Sequence, residues 1–598
     1  MPEANHKAIA RRFLAAIPRG GSALADDLIT PAARDAVIRA LAAFAEVQLA
    51  IEHLLAERDI VVCQARLRGR HVAPFAGLPP SGRVVEVAMA LAVRIDAGRI
   101  VDSWVTWDER ALLDQLRSSG AQPEPVLDAS EIQGNILPGF AKDHQTFVLW
   151  RIVDPAAARA WLARLVPHIA TAREVVDFKC VFEQARRRRC AEGAVCSTWV
   201  NVAFSAVGLQ KLGRNPDELA DRAFREGMPR RAAQLGDPVD PRRPGHASHW
   251  RFGGVESIAD ILLIVAGDDA DQVARETARW VAAAPPGVQV VFEQRGATLP
   301  PPLAGHERFG FSDGISQPRL RGRWSERGDD FITPRTADGD VAPALRGTGL
   351  VWPGEFVFGY PSEGPDGTPG PDSLGGPAWT RNGAFLVVRR YRQDVEQFDR
   401  FLRDGAARLA RQVPELRDLT AGRLGALMFG RWPSGAPLEL APHHDDPRLG
   451  GDDTRNNQFS FSPSAQPCPY AAHIRRAYPR NDPDAAGEVQ RHRLLRRGIP
   501  FTDGAERGLW FLAYMASIER QFEFVQRAWL GNPNFGGLGA GVDPIVGTAP
   551  TGRPFVVPVN AQGAGPVLTL PEWVTTTGGG YFFVPSISAL AQLAARYL

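Results

Sequence analysis

Ala384-Phe385-Leu386-Val387-Val388-Arg389-Arg390-Tyr391 is a short, continuous apolar run that ends on charge, and Val395 to Arg411 follows almost at once. A run of that length reads as a buried strand, and the longer segment as the helix after it. The same order occurs earlier, with Phe147 to Val153 as strand and Ala156 to Leu165 as helix. Two strand–helix units in two halves of similar size predict an internally duplicated α+β fold. The halves fall at about 130–325 and 380–598. Between them, residues 325–380 are dominated by proline and glycine, among them Pro361, Pro365, Pro369, Pro371 and Pro377, and read as loop.

Upstream, Ser118-Ser119-Gly120-Ala121-Gln122-Pro123-Glu124-Pro125 breaks the pattern, so 119–129 is expected to be a linker between a domain at 1–118 and a larger one at 130–598. A chain of 598 residues is in any case too long for a single core. Within the first domain, 5–17 and 33–56 read as helices. From Asp59 to Gly69, Val61, Cys63, Ala65 and Leu67 alternate with Gln64, Arg66 and Arg68, a strand pattern. Val84 to Ile95 and Arg99 to Trp107 read as two more strands joined by the turn Asp96-Ala97-Gly98. Helices followed by a hairpin-rich sheet predict an α+β domain.

Composition narrows the function. With 69 basic and 67 acidic residues the net charge is +2, which argues against a nucleic-acid or membrane-surface role. The arginine run Arg186 to Arg189 is local and reads as a solvated face. Five cysteines (Cys63, Cys180, Cys190, Cys196, Cys468) with no Cys-x-x-Cys pair predict neither a disulfide framework nor a thiolate zinc site. Arg11-Arg12 invites an export reading, but the apolar run Phe13 to Ile17 is stopped by Pro18 and Arg19. No stretch approaches the ~20 apolar residues of a membrane span. A reducing, cytoplasmic setting is expected.

Three stretches carry chemistry. In Gly310-Phe311-Ser312-Asp313-Gly314-Ile315-Ser316-Gln317-Pro318, glycines around an aspartate allow a sharp turn that aims one carboxylate into a cavity. In Cys468-Pro469-Tyr470-Ala471-Ala472-His473-Ile474-Arg475-Arg476-Ala477-Tyr478-Pro479-Arg480, a histidine between apolar and cationic neighbours suits an axial ligand with arginines for propionates. In Arg491-His492-Arg493-Leu494-Leu495-Arg496-Arg497-Gly498-Ile499-Pro500-Phe501, one guanidinium can be placed inside a site. Arg496 follows His473 by 23 residues, far enough to return across a cofactor.

Together, in this order, the three resemble the dye-decolorising peroxidases. Ile132-Gln133-Gly134-Asn135-Ile136-Leu137, Gly508-Leu509-Trp510-Phe511-Leu512-Ala513-Tyr514 and Ser517-Ile518-Glu519-Arg520-Gln521-Phe522-Glu523-Phe524 support the resemblance, which covers about 130–598 and fits the family's longer members. It implies a haem domain built from a pair of ferredoxin-like modules, with one haem b per chain. It implies His473 as iron ligand, Asp313 as the acid–base group of a Gly-x-x-Asp-Gly motif, and Arg496 above the haem, with Gly314 and Arg475 beside the cofactor. Arg496 is chosen over Arg497 because it stands three before Ile499. Pro500-Phe501-Thr502 departs from the family's usual Ile-Pro-Tyr-Gly, so packing beside Arg496 is expected to differ. The partners implied are hydrogen peroxide and a bulky aromatic donor. An aspartate, with an ordinary pKa of about 3.9, remains a base in mild acid, so an acidic optimum is expected. Glu519 and Glu523, on a helix predicted over 514–529, are the candidates to accept the other N–H of His473. The 14 Trp and 7 Tyr leave radical relays open, and no single ring stands out.

The first 120 residues resemble the SnoaL-like polyketide cyclases, cone-shaped α+β folds around an apolar pocket. The resemblance rests on Arg68-Gly69-Arg70-His71, Phe75 to Arg83, Asp96 to Trp104, and Asp108 with Leu112-Leu113-Asp114-Gln115-Leu116. It implies a pocket for a polycyclic or apolar molecule, with Asp108 at the acid/base position and His71 as a pocket-lining residue. The alternatives are a haem carrier or sensor with little turnover, a haem-free ligand-binding protein, and a polyketide cyclase with the large domain as partner.

Overall fold

A computed structural model describes residues 2–17, 28–75, 80, 84–108, 112, 124–187, 196–327, 330–335, 349–482, 489–537, 540–548 and 552–595. The chain divides into two compact units, Met1–Pro123 and Glu124–Leu598. Of the expected linker, 119–123 lie outside the described residues, as do Cys190 and residues 18–19, 76–79, 81–83, 113–116, 118 and 188–189. From Glu124 onward the chain already belongs to the large unit. The Glu124 carboxylate accepts from Arg335 at 2.7 Å and from the Gly322 N–H at 2.7 Å, and Leu127 and Ala129 are buried.

In the small unit, α1 (Pro2–Ala16) and α2 (Pro31–Leu41) accompany an antiparallel sheet of β1 (Phe44–Glu57), β2 (Ile60–His71), β3 (Val84–Asp96) and β4 (Arg99–Trp107) in sequence order. The β3–β4 turn closes at Asp96↔Arg99, with Ala97 and Gly98 both at positive φ, the backbone a two-residue hairpin of this hand requires. The helix expected over 33–56 ends at Leu41, and the rest of it is β1. Register shifts at Ala45/Gln48 and Ile51/His53 explain the misreading. Each bulge adds a residue and flips the strand's phase. The core-facing residues therefore run Phe44, Val47, Leu49, Leu54, Ala56, a spacing that imitates a helix.

The large unit is built on a closed antiparallel barrel of eight strands. Its first module runs β5 (His144–Ile152), α3 (Pro155–Leu165), β6 (Thr198–Phe204), β7 (Ile261–Gly267), α4 (Ala270–Ala282) and β8 (Val288–Ala297). The second runs β9 (Ala384–Gln393), α5 (Val395–Gln412), β10 (Ile499–Asp503), β11 (Glu506–Met515) and β12 (Val574–Val584). Within each module the spatial order is fourth, first, third, second: β8-β5-β7-β6 and β12-β9-β11-β10. That shared order is the duplication the sequence predicted. The modules join edge to edge at Phe501↔Gly296 and Phe583↔Phe204, leaving no open strand edge at either seam.

Alternation sorts each strand's side chains. Phe147, Leu262, Leu386, Trp510 and Phe582, from both modules, gather in one cluster. Their neighbours Val148, Leu263 and Val265 pack with Trp161 and Leu162 of α3 and Trp280 of α4. Asp154, one residue before α3, caps it by accepting the N–H groups of Ala156 and Ala157. The helix expected over 514–529 begins later: Tyr514 and Met515 still belong to β11, and Ile518–Glu523 and Val525–Leu530 are wound as π-helix. Such widened turns recur at functional sites. Trp510 is fully buried and stacks on Phe147 and Phe252 at 4.8 and 5.0 Å. Trp510→Ala is expected to destabilise the large unit by about 3–5 kcal/mol, measured as a shift of its urea-unfolding midpoint.

Candidate functional site

A cleft of about 1540 Å³, counted to its mouth, opens against the second module. Tyr391 and Gln393 from the end of β9 and Leu509 and Phe511 from β11 form one wall, and Phe522, Val525 and Leu530 of the π-helix another. His473, Asp313, Gly314 and Arg496, all named from sequence, line this one cleft.

His473 opens the five-residue helix His473–Ala477. Its Nδ1 stands 2.8 Å from Oδ2 of Asp543, a carboxylate with no solvent exposure. The other oxygen of Asp543 accepts the N–H groups of Ile545 and Val546 at 2.9 and 2.7 Å. Burial opposes the charge of Asp543, but His473 and these N–H groups outweigh it and hold the carboxyl below its ordinary range. The same pair works in reverse on the ring: burial opposes protonation of His473, and the charge of Asp543 prevails and raises its pKa. An ionised carboxylate has only acceptors, so Nδ1 carries the hydrogen and Nε2 keeps its lone pair for a metal.

This corrects the two glutamates named from sequence. Glu523 is paired with Arg231 and accepts from Tyr581 at 2.8 Å. Glu519 also faces Arg231, at 3.2 Å. Asp543 lies 70 residues from His473 in Gly541-Val542-Asp543-Pro544, and no local pattern ties the two together.

Asp313 sits on a turn whose following residue, Gly314, has φ +82°, with open space where a Cβ would stand. Its Oδ1 accepts the Gly314 N–H at 2.6 Å. Gln317 ties this turn to Arg496: its Nε2 donates to the Arg496 carbonyl at 3.1 Å and its Oε1 accepts the Arg496 N–H at 3.2 Å. Arg496 itself is fixed by pairing with Ala513 of β11. Among the described residues its guanidinium makes no hydrogen bond. Arg497 is committed elsewhere, donating to the carbonyls of Asn135, Ile136 and Pro138 at 3.0–3.2 Å. Phe501, the departure noted in the sequence, is fully buried with the Arg390 guanidinium over its ring at 4.2 Å.

Arg475 is not beside the cleft. It is buried, paired with Asp482 at 2.7 Å, and donates to the carbonyls of Ser462, Ser464 and Cys468. Two residues along a helix turn the side chain by about 200°, away from the face His473 presents. Besides Arg496, the cations that line the cleft are Arg431, Arg480 and Arg493. Burial lowers all three, Arg431 to about 9 and the others to about 10, and Arg431 is pushed further by Arg480, as Arg480 is by Arg493. Arg431 bonds only the Gly435 and Asn456 carbonyls, Ser316 and the Asn457 amide oxygen. Clustered buried cations of this kind call for an anionic ligand. A histidine with a free ring nitrogen, apolar walls and a cationic margin therefore fit a haem with its propionates.

In the small unit, His71 is buried with its ring 5.7 Å from Phe44. Asp108 is exposed just after β4. Among the described residues no helix is long and apolar enough to cross a membrane.

The fold and the cleft define an α+β barrel protein whose one cleft, lined by His473, Asp313 and Arg496, fits a haem. Comparisons with known proteins agree. Residues 131–300 match the DyP dimeric alpha+beta barrel domain, residues 372–536 the Dyp-type peroxidase C-terminal domain, and residues 30–116 the SnoaL-like polyketide cyclase family. The dye-decolorizing peroxidase msp1 of Mycetinis scorodonius is 32% identical over 501 residues, 79% of this chain and 89% of the relative. A solved ancestral D-type dye decolorizing peroxidase superposes with TM-score 0.65 at 33% identity, covering 79% of this chain and all of that one. A dye-decolorizing peroxidase solved with 2,6-dimethoxyphenol gives TM-score 0.63 at 31% identity, with 79% and all of the two chains covered. The chain belongs to the dye-decolorising peroxidase family, and it is a haem peroxidase carrying a SnoaL-like domain.

Asp543→Asn keeps the shape but removes the charge that orients His473, and is expected to weaken haem affinity 10- to 100-fold. Glu519→Gln is expected to leave it unchanged. Haem titration of the apoproteins by absorbance compares the two.

Proposed function

We propose that the cleft would hold one haem b per chain through His473, and that hydrogen peroxide is cleaved between Asp313 and Arg496. The observation that carries this reading is their convergence on one cleft from three separate stretches of chain. Haem, when bound, supplies the redox chemistry, giving two electrons to peroxide and regaining them singly from a donor. The protein's own residues move the proton and stabilise charge. The Asp313 carboxylate takes a proton from one peroxide oxygen and returns it to the departing one. The guanidinium of Arg496, which makes no hydrogen bond among the described residues, donates to that oxygen as negative charge develops on it. Asp543 holds the ring of His473 in one tautomer and orientation. A haem carrier or sensor needs neither Asp313 nor Arg496.

Bulky aromatic, dye-like compounds are the donors proposed, and the relative bound to 2,6-dimethoxyphenol supports phenols among them. The small unit is proposed to bind a polycyclic or apolar molecule and so serve donor delivery. A reducing, cytoplasmic setting is proposed on the sequence pattern of few cysteines with no Cys-x-x-Cys pair.

Stopped-flow absorbance of the haem-loaded protein with peroxide tests the roles. Asp313→Asn and Arg496→Leu are expected to slow the first oxidation step by about 10²-fold or more with haem retained. His473→Ala is expected to lose stable haem. Steady-state activity should peak in mild acid, and a maximum above neutrality speaks against Asp313 as the base. Removing residues 1–120 is expected to raise KM for a polycyclic donor without changing the peroxide step; equal KM values dispose of the delivery role.

A further inference from the structure

Glu307 stands six residues before Asp313 and is almost fully buried, yet among the described residues it has no cation for a partner. Three donors converge on its carboxyl instead. Oε1 accepts the Phe311 N–H at 3.0 Å, and Oε2 accepts the Phe309 N–H at 2.9 Å and Nε2 of Gln393 at 2.6 Å. Around this centre the chain closes on itself. The Glu307 N–H donates to the Phe311 carbonyl, the Gly310 N–H to the Glu307 carbonyl, and the Asp313 N–H to the Gly305 carbonyl, all at 2.9–3.0 Å. Gly310, at φ +87°, makes the reversal. The segment 305–313 is thus a compact turn with the Glu307 carboxyl at its middle and Asp313 at its end. Gln393 belongs to β9, so the same carboxyl moors the turn to the barrel.

Glu307 also borders two spaces at once. It lines the haem cleft and a second cavity, of about 1040 Å³ to its mouth, and Asp313, Gly314 and Arg496 line both as well. Burial pushes Glu307 up to about 7, and the charge of Asp313 adds to the effect. His306 and Arg497 face the second cavity beside it, and Tyr391 and His473 the cleft. Gln393 accommodates a change of charge. Its Oε1 has no partner while Nε2 serves Glu307, and turning the amide over lets Oε1 accept a proton-bearing Glu307.

We propose that Glu307 is a positioning residue for peroxide cleavage: its carboxyl, clamped between the Phe309 and Phe311 amides and Gln393, fixes where the Asp313 carboxylate stands. The proposal rests on the peroxidase reading of the cleft. Alanine at 307 leaves two buried N–H groups and an amide without an acceptor and frees the turn. Glutamine restores one acceptor but sets its own NH₂ against a donor, so its effect is intermediate.

The test is a pair of double-mutant cycles on the haem-loaded full chain with Glu307→Ala, Glu307→Gln, Asp313→Asn and the doubles Glu307→Ala/Asp313→Asn and Glu307→Gln/Asp313→Asn. Two quantities are read: the second-order rate with peroxide, and the affinity of the ferric protein for cyanide, whose binding as HCN needs an acceptor for its proton. Glu307→Ala is expected to lower the peroxide rate and the cyanide affinity each about tenfold, Glu307→Gln about threefold, and the donor KM is expected to stay within about twofold. On the Asp313→Asn background the alanine change is expected to add nothing, because the group it positions is already gone. Wild-type values in Glu307→Ala and Glu307→Gln overturn the proposal. So does a loss of equal size with and without Asp313, which marks a general packing effect; should the alanine variant not fold, the glutamine cycle decides. A wild type that binds haem but reacts sluggishly with peroxide overturns the peroxidase reading, and the cyanide arm still decides whether Glu307 acts through Asp313.

Discussion

A carboxylate with no solvent exposure is among the costliest groups a protein can carry, and Asp543 is tolerated only because three hydrogens converge on it. Two belong to its own turn and the third to His473. The charge therefore dictates which ring nitrogen carries a hydrogen, and by exclusion which nitrogen faces the cleft. The orientation of the His473 ring in the cleft follows from that one pairing. The backbone carbonyls that Arg476 and Arg553 engage nearby, including Gly541, Asp543 and Pro544, hold the aspartate's segment in place.

The opposite wall is built on a different physical idea. There a carboxyl and a guanidinium are held through their backbones and turns, with one carboxylate oxygen of Asp313 taken by the Gly314 N–H. Gln317 grips Arg496 by its peptide group, not its side chain. Glu307 gathers the amides around Asp313. Arg475, Arg476 and Arg497, which sit beside the functional residues in sequence, have their guanidinium groups consumed by carbonyls and Asp482. Neighbouring arginines thus divide between scaffold and chemistry according to which way the local backbone turns them.

The barrel explains why these pieces can be distant in sequence and still meet. Two modules of identical strand order close edge to edge, and the second carries the cleft on β9, β11 and the π-helical segment. The shared order was readable in outline, because Ala384 to Tyr391 and Phe147 to Val153 each precede a helix. The closing pairs Phe501↔Gly296 and Phe583↔Phe204 were not, since one-residue contacts between distant strands leave no periodic trace. β1 was lost for a related reason: its two bulges shift the alternation, and a shifted alternation looks helical.

Local chemistry was legible wherever the signal is local. The glycine-flanked aspartate, the histidine among apolar neighbours and the arginine run each declare themselves within a dozen residues, because turn geometry and side-chain type act at that range. Their convergence on one cleft, the partner of His473, and the replacement of Arg475 by Arg431, Arg480 and Arg493 in the cleft lining were decided only by tertiary structure. Asp543 is 70 residues from His473, and Arg431, Arg480 and Arg493 come from three segments. A buried charge is satisfied by whatever the fold brings near it, and nearness in space is what a linear pattern does not encode.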